Sequence, residues 1–127
     1  MAVTGTNSLS QMEKVIVGQL CVDTGTKTAT ASSGAATLNK SSGTITSEAL
    51  TTAQNAFYTL TLTNSEIAAT DMVFASVANG TNTQGTPMVE RITPAAGSVV
   101  IRIRNAHASA EALNGTIVVS FLVVKAS

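Results

Sequence analysis

Tryptophan is absent and aromatic residues are only 3% of the chain, so large rings cannot dominate a core. Charge is scarce too. Charged residues are 11% of the 127, less than half the usual share of about 25%. Seven basic and seven acidic side chains cancel to a formal net charge of zero. With no basic excess to displace counterions from phosphates, a dedicated nucleic-acid binder is excluded. The single cysteine, Cys21, excludes an intramolecular disulfide. One Cys and one His do not supply the ligands of a tetrahedral zinc site, and the scattered carboxylates do not make a calcium loop. No cofactor is expected. The longest apolar run, Ile117–Val124, is broken by Ser120 and falls far short of the roughly twenty residues that span a bilayer, so no membrane partner is expected. The first six residues lack a basic region followed by an apolar stretch, so no secretory signal is expected and synthesis is placed in a cytoplasm.

What is present points to one folded domain. Hydrophobic residues are 44% of the chain, which with its length suits a single globular unit and argues against disorder. Ser and Thr are abundant, and Ala, Val and Ile supply most of the apolar content. β-Branched side chains fit a pleated surface. Turn signals recur at short intervals: Ser33-Gly34, Ser42-Gly43, Asn79-Gly80, Gly85, Pro94 to Gly97 and Asn114-Gly115. This punctuation predicts an all-β, antiparallel, jelly-roll-like sandwich of about eight strands. Residues 15–127 form the domain and residues 1–14, small and polar, an extended N-terminal arm that orders only against something else.

Particular strands follow from period. Ser10 and Glu13 have the form of a capping box, but Val15-Ile16-Val17 and Gly18 favour a strand over residues 15–22. Cys21 then reads as a small buried hydrophobe. Residues 36–47 read as a hairpin with Leu38 and Ile45 on one face, and residues 47–54 allow a helical turn. Residues 57–63 alternate, with Tyr58, Leu60 and Leu62 opposite Thr59, Thr61 and Thr63. Strands are further expected at 72–77, 88–93, 98–105 and 116–125. Val99, Ile101 and Ile103 face inward in the third of these, with Arg102 and Arg104 outward. The last strand is apolar on both faces and predicts a central or doubly covered position. Phe57, Phe74 and Phe121 are the expected core anchors. A core with so few rings is easier to sustain if copies of the chain bury further surface together.

Few constellations carry chemistry. His107, the only histidine, could pair with a Ser nucleophile and Glu111, but no Gly-x-Ser-x-Gly elbow accompanies it, and a structural loop histidine is the simpler reading. Glu90, Arg91, Arg102 and Arg104 concentrate charge in two neighbouring strands. Two readings stand for them: a surface ion pair, or a polar contact to a partner protein. Residues 80–87 have two glycines but neither the P-loop nor the dinucleotide spacing. The sequons at Asn39, Asn79 and Asn114 are chance matches in a Thr-rich chain. The threonines at 59, 61 and 63 suit a sugar- or ice-binding face, or simply an exposed sheet.

Several phrases, in order, resemble small virion proteins of tailed bacteriophages. They include Gly43-Thr44-Ile45-Thr46-Ser47-Glu48-Ala49-Leu50, Tyr58-Thr59-Leu60-Thr61-Leu62-Thr63-Asn64, and Val77-Ala78-Asn79-Gly80-Thr81-Asn82-Thr83. Pro94-Ala95-Ala96-Gly97-Ser98, Arg104-Asn105-Ala106-His107 and Ala112-Leu113-Asn114-Gly115-Thr116 continue the series. The resemblance spans residues 36–124. It implies a non-enzymatic β-sandwich or jelly-roll capsid decoration (cement) protein on the outer surface of the phage head. Such a protein binds the major capsid protein, self-associates as a dimer or trimer, and braces joints between shell subunits. It carries over no catalytic residue. The alternative is a tail-fibre or tail-tip module that binds a host surface glycan. That expects exposed aromatics, of which Tyr58 and three Phe are the only candidates, and a longer parent chain. A hydrolase using His107 is the third reading.

Overall fold

Strict alternation in residues 57–63 and 98–105 builds the centre of the molecule. The computed structural model describes residues 25–126. Its strands are β1 (Thr28–Thr30), β2 (Ala35–Thr37), β3 (Ser42–Thr46), β4 (Phe57–Thr63), β5 (Met72–Asn79), β6 (Pro87–Ala95), β7 (Ser98–Asn105) and β8 (Ile117–Val124). They form two four-stranded sheets, ordered β1-β3-β8-β5 and β2-β4-β7-β6. Pairing is antiparallel except at β1–β3 and β2–β4, which are parallel. The result is the expected all-β sandwich of eight strands. The expected arm at 1–14, the strand at 15–22 and the placement of Cys21 lie outside the described residues.

The inward residues of both sheets make one core. Tyr58, Leu60 and Leu62 of β4 meet Val99, Ile101 and Ile103 of β7 in register. Ile117, Val119, Phe121 and Val123 of β8, with Ile45 of β3, close it from the other sheet. Most of these side chains are fully buried, each contributing about 1.5–3 kcal/mol relative to exposure. Strand β8 lies between β3 and β5, the central place its two apolar faces predicted.

Three local expectations are corrected. Residues 36–47 are not a hairpin, because β2 pairs with β4 in one sheet and β3 with β8 in the other. Leu38 and Ile45 do share the core, but across it. The tight turn lies one step earlier. Ser32 and Ala35 exchange both backbone hydrogen bonds, at 2.9 and 3.0 Å, around Ser33 and Gly34. Both central residues have positive φ, 50° and 75°, the type I′ pattern. A Cβ on Gly34 would sit 2.5 Å from the Thr59 carbonyl oxygen, so the glycine is also a close approach. This turn carries the chain from the first sheet to the second.

The helical turn allowed at 47–54 does not form: residues 47–53 have no regular structure, and one hydrogen-bonded turn follows, with the Ala56 amide donating to the Ala53 carbonyl at 3.0 Å and Asn55 at a left-handed φ of 64°. The backbone amides of Ser47 and Leu50 donate to the carbonyls of Ile117 and Gly115. Pairing with the 113–117 segment satisfies these groups better than a single unsupported helical turn. The strand expected at 88–93 is longer and bulged. The register slips between Val89 and Arg91, leaving Glu90 unpaired. The bulge lets Val89 and Ile92, three residues apart, both turn towards the core while Glu90 and Arg91 both face solvent.

Buried asparagines tie the loops. Asn64, Asn82 and Asn105 are nearly inaccessible. The Asn105 amide donates to the carbonyls of Thr52 and Glu111 at 3.0 and 2.8 Å, and accepts from the amides of Thr86 and His107 at 3.0 and 3.2 Å. Asn82 accepts from the Asn114 amide and donates to Asn79 and the Gln84 carbonyl. The Asn105 amide therefore uses all four of its bonding positions, and Asn82 three of its four. The loop at 80–86 is held to the 113–116 loop in this way.

Candidate interface surfaces

All three arginines of the chain project from the outer face of the second sheet. Register sets Phe57, Arg104 and Met88 in one row and Thr59, Arg102 and Arg91 in the next. The bulge brings Glu90 between the rows. Its carboxylate oxygens lie 3.6 Å from Arg102 Nε and 3.6 Å from Arg104 Nη1. Arg104 Nη2 donates to Asn55 Oδ1 at 3.0 Å. The Arg102 guanidinium stacks 3.6 Å above the centre of the Phe57 ring. The structure thus brings Glu90, Arg102 and Arg104 together, while Arg91 makes no ion pair among the described residues. The Nε atoms of Arg102 and Arg104 are occluded without a hydrogen bond, since 3.6 Å is an ionic contact rather than a hydrogen bond. Three arginines against one glutamate leave this face a net charge of +2. Pairs this exposed contribute about 0–1 kcal/mol to folding, so the cluster's value to stability is small.

The outer face of the first sheet is its opposite in character. Strands β5 and β8 carry no charged residue. Met72 and Phe74 are each 55% exposed, and Val118, Leu122 and Val124 stand half-buried beside them. Register pairs Met72 with Val124, Phe74 with Leu122, and Ser76 with Ser120. The two serines are small, so a shallow groove of about 290 Å³ opens between the larger side chains. The sequence pattern hides this face by placing Phe74 in the core, and it places Phe57 there too, although Phe57 lies on the arginine face of the other sheet. Only Phe121 is buried, at 4% exposure. The parity signal was available: Phe57 shares the phase of Thr59, and Phe74 that of Ser76.

His107 does meet Glu111, with Nε2 2.9 Å from Oε1. Its Nδ1 lies 3.2 Å from the amide, carbonyl oxygen and hydroxyl of Ser109. An Nδ1 that accepts the Ser109 N–H leaves no lone pair to take a proton from the Ser109 hydroxyl. Nε2–H then donates to Glu111. All three residues lie in one exposed loop, and the geometry is that of a loop staple, continued by Gln54 donating to the His107 carbonyl at 3.0 Å.

Two further ionisable groups sit away from both faces. Asp71 is almost inaccessible and accepts from Lys125 Nζ at 2.6 Å and from the amides of Ala68 and Ala126. The lysine contact first, then the Ala68 amide, hold its carboxyl below the usual range. The Tyr58 hydroxyl is buried without a well-formed hydrogen bond. Burial first, then the nearby Glu48 charge, push its ionisation far above the ordinary phenol range. Glu48 itself accepts from the Gly34 amide with both oxygens at 3.2 Å. Among the described residues no group of three or more His, Cys, Asp or Glu side chains converges on a metal position, and no helix is long and apolar enough to cross a membrane. No family model, curated protein or solved structure matches the chain.

Proposed function

We propose that this chain is a non-enzymatic structural protein of a bacteriophage virion, a decoration protein that binds the outside of the head and braces contacts between major capsid protein subunits. The observation that carries the reading is the contrast between the two outer faces. One is apolar and uncharged around Phe74 and Leu122, and the other carries Glu90, Arg91, Arg102 and Arg104. A protein that joins a shell and its own neighbours at once needs two contact surfaces, and faces of different chemistry let each take a different partner. The uncharged face of β5 and β8 supports the same role, because no ion must be desolvated when that surface is covered. The ordered phrases that resemble phage virion proteins lie on the described sandwich. Glu90, Arg91, Arg102 and Arg104 are the residues assigned to the shell contact.

Co-sedimentation with expanded heads that lack the protein tests this. Saturable binding in fixed ratio to the major capsid protein, with heads made more heat-resistant, is the expected result. The same protein beginning at Lys14 reports whether the first residues take part. Binding to host cells and not to heads would overturn the reading in favour of a tail module.

A further inference from the structure

The four edge strands of the sandwich are not protected alike. Strands β1 and β2 are only three residues long. Strand β6 is long, but Pro87, Pro94, a bulge and the charged pair Glu90 and Arg91 obstruct pairing with another strand. Strand β5 has none of these devices. It runs eight residues in unbroken register with β8, with no proline, no charge and no bulge. Every second residue turns its N–H and C=O away from β8. None of those groups has a partner among the described residues. A long, regular, uncharged edge of this kind is a template for another strand.

We infer that the occupant is a second copy of this chain: two β5 edges pair antiparallel about a two-fold axis at Ala75, joining the two first sheets into one. The sequence of β5 is self-complementary in that register. Directly opposed residues of an antiparallel pair share a face. Met72 then faces Ala78 of the second copy, and Phe74 faces Ser76, large against small on the outer side. On the inner side Val73 meets Val77, and Ala75 meets Ala75. A shift of two residues one way sets Phe74 against Phe74 and Val77 against Asp71, which is already engaged by Lys125. The opposite shift sets Val73 against Asn79.

The groove supplies a second, independent observation. It is lined by Phe74, Ser76, Ser120 and Leu122, immediately beside the edge. In the Ala75 register, Phe74 of the second copy lies opposite Ser76 and reaches the space above Ser76 and Ser120. Each copy thus offers one exposed ring and one groove, the isologous arrangement a two-fold contact requires. Charge permits it as well, because neither β5 nor β8 carries any, and identical surfaces meet without like-charge repulsion.

Sedimentation equilibrium of the full-length chain, with amide hydrogen exchange at low and high concentration, tests the pairing. The expected result is a monomer–dimer equilibrium. Phe74→Lys weakens it about tenfold or more. Met88→Lys, on the other sheet's exposed face, leaves it unchanged. Alternate amides of residues 72–79 exchange more slowly as concentration rises. A monomer at every concentration up to about 1 mM overturns the inference. So does a trimer, since two-fold edge pairing closes at two. Amides of β5 that are protected equally at all concentrations also overturn it, because residues 1–24 of the same chain would then cover the edge. If a dimer tolerates Phe74→Lys, exchange decides: concentration-dependent protection of β5 upholds edge pairing, and its absence overturns it. The pairing needs no shell, so its failure and that of the decoration reading are separable.

Discussion

Replacing Asn105 by alanine removes four hydrogen bonds at one inaccessible amide. The Glu111 carbonyl loses its donor and the amides of Thr86 and His107 lose their acceptor, while the Thr52 carbonyl keeps the Leu113 amide at 2.9 Å. Each buried polar group left without a partner costs about 1–3 kcal/mol. If water admitted to the space satisfies half of these three, the net loss is about 1.5–4.5 kcal/mol. That is a large share of the roughly 5–15 kcal/mol that holds a domain of this size together. Asn105→Asp is the sharper control. It keeps the shape and the acceptor but turns an anionic oxygen towards two carbonyls, so it should destabilise at least as much as alanine. Urea unfolding followed by circular dichroism reads both. With an m-value of about 2 kcal/mol/M, the middle of the usual range in urea, the midpoint should fall by about 1–2 M with m unchanged. A loss below about 1 kcal/mol for alanine, or wild-type stability for aspartate, would refute the claim that this amide locks the loops.

Gly34→Ala should destabilise by about 1–3 kcal/mol, because it combines a positive φ with a Cβ 2.5 Å from the Thr59 carbonyl oxygen; thermal unfolding checks this. Asp71 has a folded pKa below its unfolded value, so its stabilisation is present above the ordinary carboxylate range and is lost as pH falls through about 4 and below. Acid titration of unfolding should show that slope in the wild type and a weaker one in Asp71→Asn. Glu90→Gln should change stability by no more than about 1 kcal/mol at physiological salt. It should raise the positive charge of that face and strengthen retention on a cation-exchange column.

Much of the sandwich was legible because β4 and β7 obey a period of two with no exception. Residues 57–63 and 98–105 were bounded correctly from alternation alone. The first sheet was harder. Leu38 and Ile45 are close in sequence and both apolar, which suggests a hairpin, yet they reach the core from opposite sheets. Sheet membership is set by long-range pairing with β4 and β8, and no local signal encodes it. The bulge at Glu90 was readable in principle from the three-residue spacing of Val89 and Ile92. The ionic cluster was half legible: strand neighbours predicted Glu90 beside an arginine, but not the stacking of Arg102 on Phe57. Phe74 was misplaced because scarcity of rings suggested that each must be spent on the core. Its parity with Met72 and Ser76 is the stronger rule, and it leaves the ring on a surface.

The most direct test of the functional account is electron cryomicroscopy of expanded heads with and without the full-length protein. The account requires added density of sandwich size on the outer surface, at the joints between capsid subunits, with the charged face of β6 and β7 towards the shell. Identical shells in the two maps, or density confined to the tail, would contradict it.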